Sequence, residues 1–227
     1  MTDIAEQIAQ LEKVLAAKDN PMVPYPAKYL PLKDGKNLYI HQVYRDTVPL
    51  LLDAVRPLIT KPQDYYDIVA ARVYAELLGY LRYRVFDAYV LVGTVNGTVV
   101  GLVTQRNYSE KVGMSLHTLT LKRGLRVGPA MFAAKMEYAL DFLKQDEVLI
   151  VAESPHGFRR WMEEYSLEER FETPHELGGT PTYVLTKKLW DAKKAEKNIG
   201  LRPVPQEVID ANKEIKIPSP MEVLYGV

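Results

Sequence analysis

The sequence predicts an α/β domain. Three observations carry that expectation: a hairpin signature at the centre of the chain, helical stripes of apolar residues on either side of it, and a hydrophobic fraction of 47% over 227 residues, sufficient to fill one core. The hairpin is the sharpest of the three. Residues 89–95 and 98–104 are rich in β-branched side chains, and Asn96-Gly97 between them suits the two positive φ angles of a type I′ turn.

Residues 3–18 place Ile4, Ile8, Leu11 and Leu15 on one helical face, with Asp3 and Glu6 at capping-box spacing. Pro21, Pro24, Pro26 and Pro31 then predict an extended strap without regular structure up to Gly35. Residues 38–43 read as a strand. Thr47 is placed to cap a helix with Pro49 in its first turn and Leu50, Leu51, Ala54 and Val55 facing inward. A second helix over 64–84 carries Tyr65, Tyr66, Tyr74, Tyr80 and Tyr83 and is apolar around most of its circumference, so one face should line something. Beyond the hairpin come a strand over 115–121, a helix over 129–143, a strand over 147–152, a helix over 157–164 and a strand over 182–186. The order from residue 38 is β-α-α-β-β-β-α-β-α-β, with no internal repeat.

After Trp190 follow a lysine-rich helical stretch, a break at Pro203-Val204-Pro205, a short helical candidate over 206–214 and a Pro218/Pro220 tail expected to wrap its own domain or a partner. This divides the chain into an N-terminal helix and strap (1–37), a central domain (38–190) and a C-terminal extension (191–227).

Twenty-nine basic residues balance twenty-nine acidic ones, which argues against nucleic acid or an anionic membrane as a partner and makes any anion site a local one. The lysines at 187, 188, 193, 194 and 197 alternate with Asp191 and Glu196, the pattern of a solvated helix. Absence of cysteine removes disulfides, thiolate nucleophiles and cysteine-ligated zinc. Met1-Thr2-Asp3 lacks the features of a signal peptide and no apolar run approaches bilayer length, so the expected location is cytoplasmic. Phosphate-loop, dinucleotide and nucleophile-elbow motifs are missing. Glu153 and His156 have the spacing of a di-iron helix motif, but Pro155 interrupts it, and no metal site is expected.

Chemistry concentrates at Arg123-Gly124-Leu125-Arg126-Val127-Gly128, followed by Pro129. Unpaired N–H groups converging at a helix N-terminus make an anion site, glycines let the backbone approach a phosphate, and two arginines add fixed charge. This turn, with the element order of residues 38–190, resembles the GNAT N-acetyltransferase superfamily and its Arg/Gln-x-x-Gly-x-Gly/Ala pyrophosphate loop; Arg126 stands where the family usually has its first glycine. The resemblance implies a mixed, mostly antiparallel central sheet flanked by helices and an acetyl-CoA or other acyl-CoA co-substrate. Residues 123–128 would hold its pyrophosphate, and the backbone of Leu119 and Leu121 its pantetheine arm and thioester.

The family's Asn-x-x-Ala-x-x-x-Tyr helix corresponds to Ser154-Pro155-His156-Gly157, with Trp161 at the tyrosine position and Tyr165 one turn later as the replacement acid for the leaving thiolate. His117, alternating along the strand, is the candidate base, and Glu110 lies in the preceding loop. The implied activity is transfer of an acetyl or short acyl group to a small-molecule or peptide amine. A GNAT-fold assembly module without turnover, an acyltransferase fed by an acyl carrier protein, and a homodimer all stay open.

Overall fold

In the computed structural model, which describes residues 3–18, 22–178, 181–197 and 200–226, the central hairpin has the predicted turn: Asn96 has φ 50° and Gly97 φ 82°. Met1, Thr2 and Pro21 lie outside the described residues. Strands β1 (Lys28–Pro31), β2 (Asn37–Val43), β3 (Ala88–Val95), β4 (Thr98–Arg106), β5 (Val112–Thr120), β6 (Glu147–Ile150), β7 (Glu168–Glu169) and β8 (Tyr183–Thr186) form one sheet in the order β1-β2-β3-β4-β5-β6-β8-β7. Each neighbouring pair is antiparallel except β5 with β6. This is the mixed, mostly antiparallel GNAT-like sheet that the resemblance implies.

Strand alternation sorts the core into two layers. Val90, Val92, Leu102, Leu119 and Leu121 face α2 (Val48–Val55) and α3 (Tyr66–Leu81), whereas Tyr89, Leu91 and Val103 face α4 (Val127–Glu137). On the α4 side the core continues through Val148, Ile150 and Met162 to Trp190 of α6 (Lys187–Lys193). Helix α4 sits close because Gly93 and Gly101 are cross-strand partners beneath it: a Cβ at Gly93 would lie 2.8 Å from Met131 Sδ, and one at Gly101 2.7 Å from Val127 Cγ1. That notch fixes where the N-terminus of α4 meets the sheet.

Several boundaries differ from the sequence reading. The strap holds a strand: β1 pairs with β2, and Pro31 is tolerated because it ends an edge strand. Thr47 does not cap α2, since it already lies in a 3₁₀ turn over Arg45–Thr47. Helix α4 begins at Val127, two residues earlier than expected, and its winding widens over Tyr138–Phe142. Asp3 does cap α1 (Ile4–Leu15), but the apolar stripe of that helix stays exposed, Ile4 at 73%.

The C-terminal extension wraps its own domain. Lys216 pairs with the β3–β4 hairpin through Val99 N–H (2.8 Å), the Asn212 side chain accepts from Gly97 N–H (2.8 Å), and Val223 of α8 (Pro220–Tyr225) enters the core under α2. Between the hairpin and α8 the chain forms α7 (Gln206–Ala211). Strap and extension meet at Glu137 of α4, whose carboxylate accepts from Tyr25 Oη (2.8 Å), Lys28 Nζ (2.9 Å) and both terminal nitrogens of Arg202 (2.8 and 3.0 Å). Lys28 is fully buried; burial lowers its pKa to about 8 against the pull of Glu137.

Removing one partner of a buried ion pair strands the other, so Glu137→Ala should destabilise the protein by about 3–5 kcal/mol in urea unfolding. A change within about 0.5 kcal/mol, the size of an ordinary surface substitution, would mean that apolar packing alone holds strap and extension.

Candidate functional site

Parallel pairing between β5 and β6 covers three positions, Val112↔Glu147, Gly113↔Val148 and Met114↔Leu149, and then the strands part. The cause is visible on the other side of β5. Between the pairs Val103↔Thr118 and Gln105↔Ser115, β4 contributes only Thr104 while β5 contributes Leu116 and His117, a β-bulge that bends β5 away from β6. The His117 N–H, pushed out of register, bonds Thr104 Oγ1 at 3.1 Å.

Past the bulge, Leu121 donates its N–H to Val100 O (2.9 Å) inside the sheet. Backbone donors alternate in direction along a strand, so Leu119 shares that side and the N–H groups of Thr118 and Thr120 point into the opening. Leu119 and Leu121 therefore fill the core below α2 and α3, and the donors expected of them belong to their threonine neighbours.

The opening is a cleft of about 400 Å³. Thr118, Leu119 and Thr120 form one wall, the 122–129 turn its end, and Ser154, Gly157 and Trp161 the other wall. At its end Gly124 has φ 88°, Arg126 takes the left-handed conformation at φ 54°, and Val127 and Gly128 open α4 with N–H groups that have no partner inside the helix. A Cβ at Gly128 would sit 3.3 Å from Thr120 Oγ1, narrowing the passage between turn and strand. Leu125 is half-buried against the α4 layer. Arg123 lies over the Tyr66 ring (4.8 Å) and bonds Asp64; with Lys122, Arg126 and Arg160 it makes this end basic.

The opposite wall starts with Ser154, whose Oγ accepts from Gly157 N–H (3.0 Å) and so caps α5 (Pro155–Gly157), which continues with wider winding to Glu163. Trp161 stacks on Phe132 of α4 at 4.2 Å and lines the cleft. Tyr165 does not line it: the ring is buried between Phe132 and Trp190, and burial raises its phenol far above the ordinary value. The position expected to supply a thiolate acid is thus a core residue. Glu110 is exposed in the turn before β5.

Where β5 and β6 diverge, His117 Nδ1 lies 2.6 Å from Glu76 Oε1 of α3, and its Nε2 lies 2.8 Å from Glu153 Oε2 after β6. An ionised carboxylate only accepts, so this double contact calls for two N–H donors, an imidazolium. Burial alone would lower the His117 pKa, but Glu76 and Glu153 outweigh it and hold it above the usual histidine range. Arg72, one turn before Glu76, pairs with Glu153 Oε1 at 2.8 Å, and Glu76 Oε2 accepts from Thr104 Oγ1 at 2.5 Å. Beneath them Lys135 of α4 donates to His117 O (3.1 Å); complete burial lowers its pKa to about 7.

Glu76, Arg72 and Lys135 are the residues that sequence reasoning missed, and the spacing of Glu153 points only to a metal-ligand pattern that Pro155 interrupts. A signal existed for Glu76, which falls on the helix face of buried Val73, Leu77 and Tyr80.

No protein-family model matches the sequence, and no curated protein matches it. Among solved structures, an uncharacterized protein from Bacillus halodurans is similar at TM-score 0.54 and 12% identity, over 77% of this chain and 97% of that one. The GNAT domain of S. lividans PAT is similar at TM-score 0.49 and 10% identity, over 70% and 96% of the two chains. The PaiA N-acetyltransferase from Thermoplasma acidophilum, solved with coenzyme A, gives TM-score 0.44 and 12% identity, over 66% and 98%. At 12% identity the first of these likenesses speaks to fold alone. Among the described residues no helix is long and apolar enough to cross a membrane.

A raised folded pKa makes the His117 contribution to stability complete below the unfolded value of about 6.5 and lost as pH rises through the folded value. The melting-temperature gap between the wild type and His117→Asn should accordingly narrow from about pH 6 to about pH 9. A gap that widens with pH would show a neutral imidazole.

Proposed function

We propose that the chain transfers an acyl group from an acyl-CoA to an amine by direct attack in a ternary complex. The observation that carries this reading is the parting of β5 and β6 after three pairs, which opens a cleft from Thr118, next to the bulge at His117, to the basic N-terminal turn of α4. One end suits a pyrophosphate: helix-terminal N–H groups at Val127 and Gly128, glycine backbone, and the guanidinium groups of Arg123 and Arg126. The strand edge suits a pantetheine arm, because Thr118 and Thr120 present donors to an extended chain of amides. A thioester carbonyl laid along that edge is polarised by the same donors.

In the reaction the amine nitrogen forms the C–N bond, the C–S bond breaks and sulfur leaves as thiolate. The proton lost by nitrogen goes to His117 once its imidazole is free. Carboxylates on both sides of His117 shift that condition to higher pH, so the reaction accelerates as pH rises. With the Tyr165 phenol buried in the core, the thiolate takes its proton from water. Much of the acceleration comes from holding both substrates in place.

A second reading is favoured by one specific feature. The His117–Glu153 contact crosses the fork between the strands, which fits a coenzyme A-binding module without turnover.

Calorimetric titration with coenzyme A tests the shared premise. Arg123→Ala should weaken binding by about 1–3 kcal/mol, the range for a charge-assisted hydrogen bond, and Gly128→Val by more. Unchanged affinity in both variants overturns the phosphate assignment. With an amine acceptor, the wild-type rate should rise with pH and the deficit of His117→Gln should grow as the imidazole loses its proton, while equal rates across the series overturn the base assignment. Binding without turnover over a broad amine panel selects the second reading.

A further inference from the structure

Behind Glu76, on the α3 face of the sheet, lies a separate cavity of about 210 Å³. Its walls are Ala75, Gly79 and Tyr80 of α3, Val85 and Ala88 before and in β3, and Leu116 of the bulge. Its charged groups stand at its two ends. Inside are the Glu76 carboxylate and Thr104; at the rim Arg106 is bonded to Asp87 (2.9 Å) and Glu176 (2.6 Å). At the rim two carboxylates, Asp87 and Glu176, thus meet one guanidinium, and inside the cavity Glu76 stands apart from it.

Resting on the acyltransfer reading, we infer that this cavity binds the acceptor, and that the acceptor is an apolar monoamine of aryl-alkyl type whose nitrogen meets Glu76. Size supports it: an apolar cavity of roughly 150 Å³ admits a benzene-sized ligand, so this one has room for a ring and a short chain. Charge selects the rest. Each oxygen of Glu76 bonds one partner, His117 or Thr104, and keeps a lone pair for an ammonium N–H. A second ammonium, as in a polyamine, would lie against Ala75, Gly79 and Val85 unless it reached the rim, where Asp87 and Glu176 are already paired with Arg106, and burial on the apolar wall would cost several kcal/mol. A carboxylate on the carbon bearing the amine would be repelled by Glu76. Glu76 lines this cavity and bonds His117, which stands where β5 and β6 part, and this puts an amine at Glu76 next to the proposed thioester position.

The test uses 2-phenylethylamine, spermidine and phenylalanine as probes. Each is titrated calorimetrically without any donor, and each is assayed for thiol release from acetyl-CoA. The inference expects 2-phenylethylamine to bind and to turn over best. Gly79→Leu should raise its KM by about tenfold or more, equal to at least 1.4 kcal/mol, and leave coenzyme A affinity unchanged. Ala75→Leu fills the same cavity and substitutes if Gly79→Leu does not fold by thermal melting. If coenzyme A binds while 2-phenylethylamine neither binds nor reacts, or if both leucine variants bind it like wild type, the inference is overturned and the acyltransfer reading survives. Amine binding that the leucine variants abolish, in a protein with no affinity for coenzyme A, upholds the cavity assignment and overturns acyl transfer.

Discussion

Only three residue pairs join β5 to β6, and everything proposed for this chain depends on where they stop. A sheet that continued past Met114 and Leu149 would satisfy its own donors and leave nothing for a ligand. The bulge at Leu116–His117 prevents continuation by inserting one residue opposite Thr104, which turns the strand outward and swings the His117 side chain between Glu76 and Glu153. One backbone irregularity thus opens the cleft and builds the charged cluster at its apex. The notch at Gly93 and Gly101 fixes α4, so that its N-terminus meets the far end of the same opening.

Electrostatics divides the space around β5. Toward the α4 N-terminus the lining is basic, with Lys122, Arg123, Arg126 and Arg160; behind Glu76 it is acidic, with Asp87 and Glu176 at the rim. His117 stands at the boundary, and its charge is compensated from both sides. Such a layout suits the proposed pairing of an anionic donor with a cationic acceptor on opposite sides of the strand edge. Neutrality of the whole chain conceals this arrangement because each region is compensated by the other.

What was legible in the sequence follows from which interactions are local. The Asn96-Gly97 turn, the helical stripes and the element order are set by neighbours a few residues apart, and the fold class follows from them. The conformation of the glycine-arginine turn was legible because contiguous residues set it. The bulge was not, since it depends on the register of β4 against β5, and so Leu119 and Leu121 stood in for Thr118 and Thr120. Tyr165 failed for a related reason: spacing along a helix does not reveal that its neighbours in space are Phe132 and Trp190. Glu76 and Glu153 reach His117 across 41 and 36 residues, beyond any motif.

Amide hydrogen exchange at Thr118 and Thr120, followed by NMR with and without coenzyme A, addresses the central claim most directly. The parted strands leave both amides without a partner in the sheet, so each should exchange rapidly in the free protein and become protected when coenzyme A is added, while Leu121, bonded to Val100, stays protected throughout. Protection of Thr118 and Thr120 already in the free protein, or rapid exchange that saturating coenzyme A leaves unchanged, would contradict it.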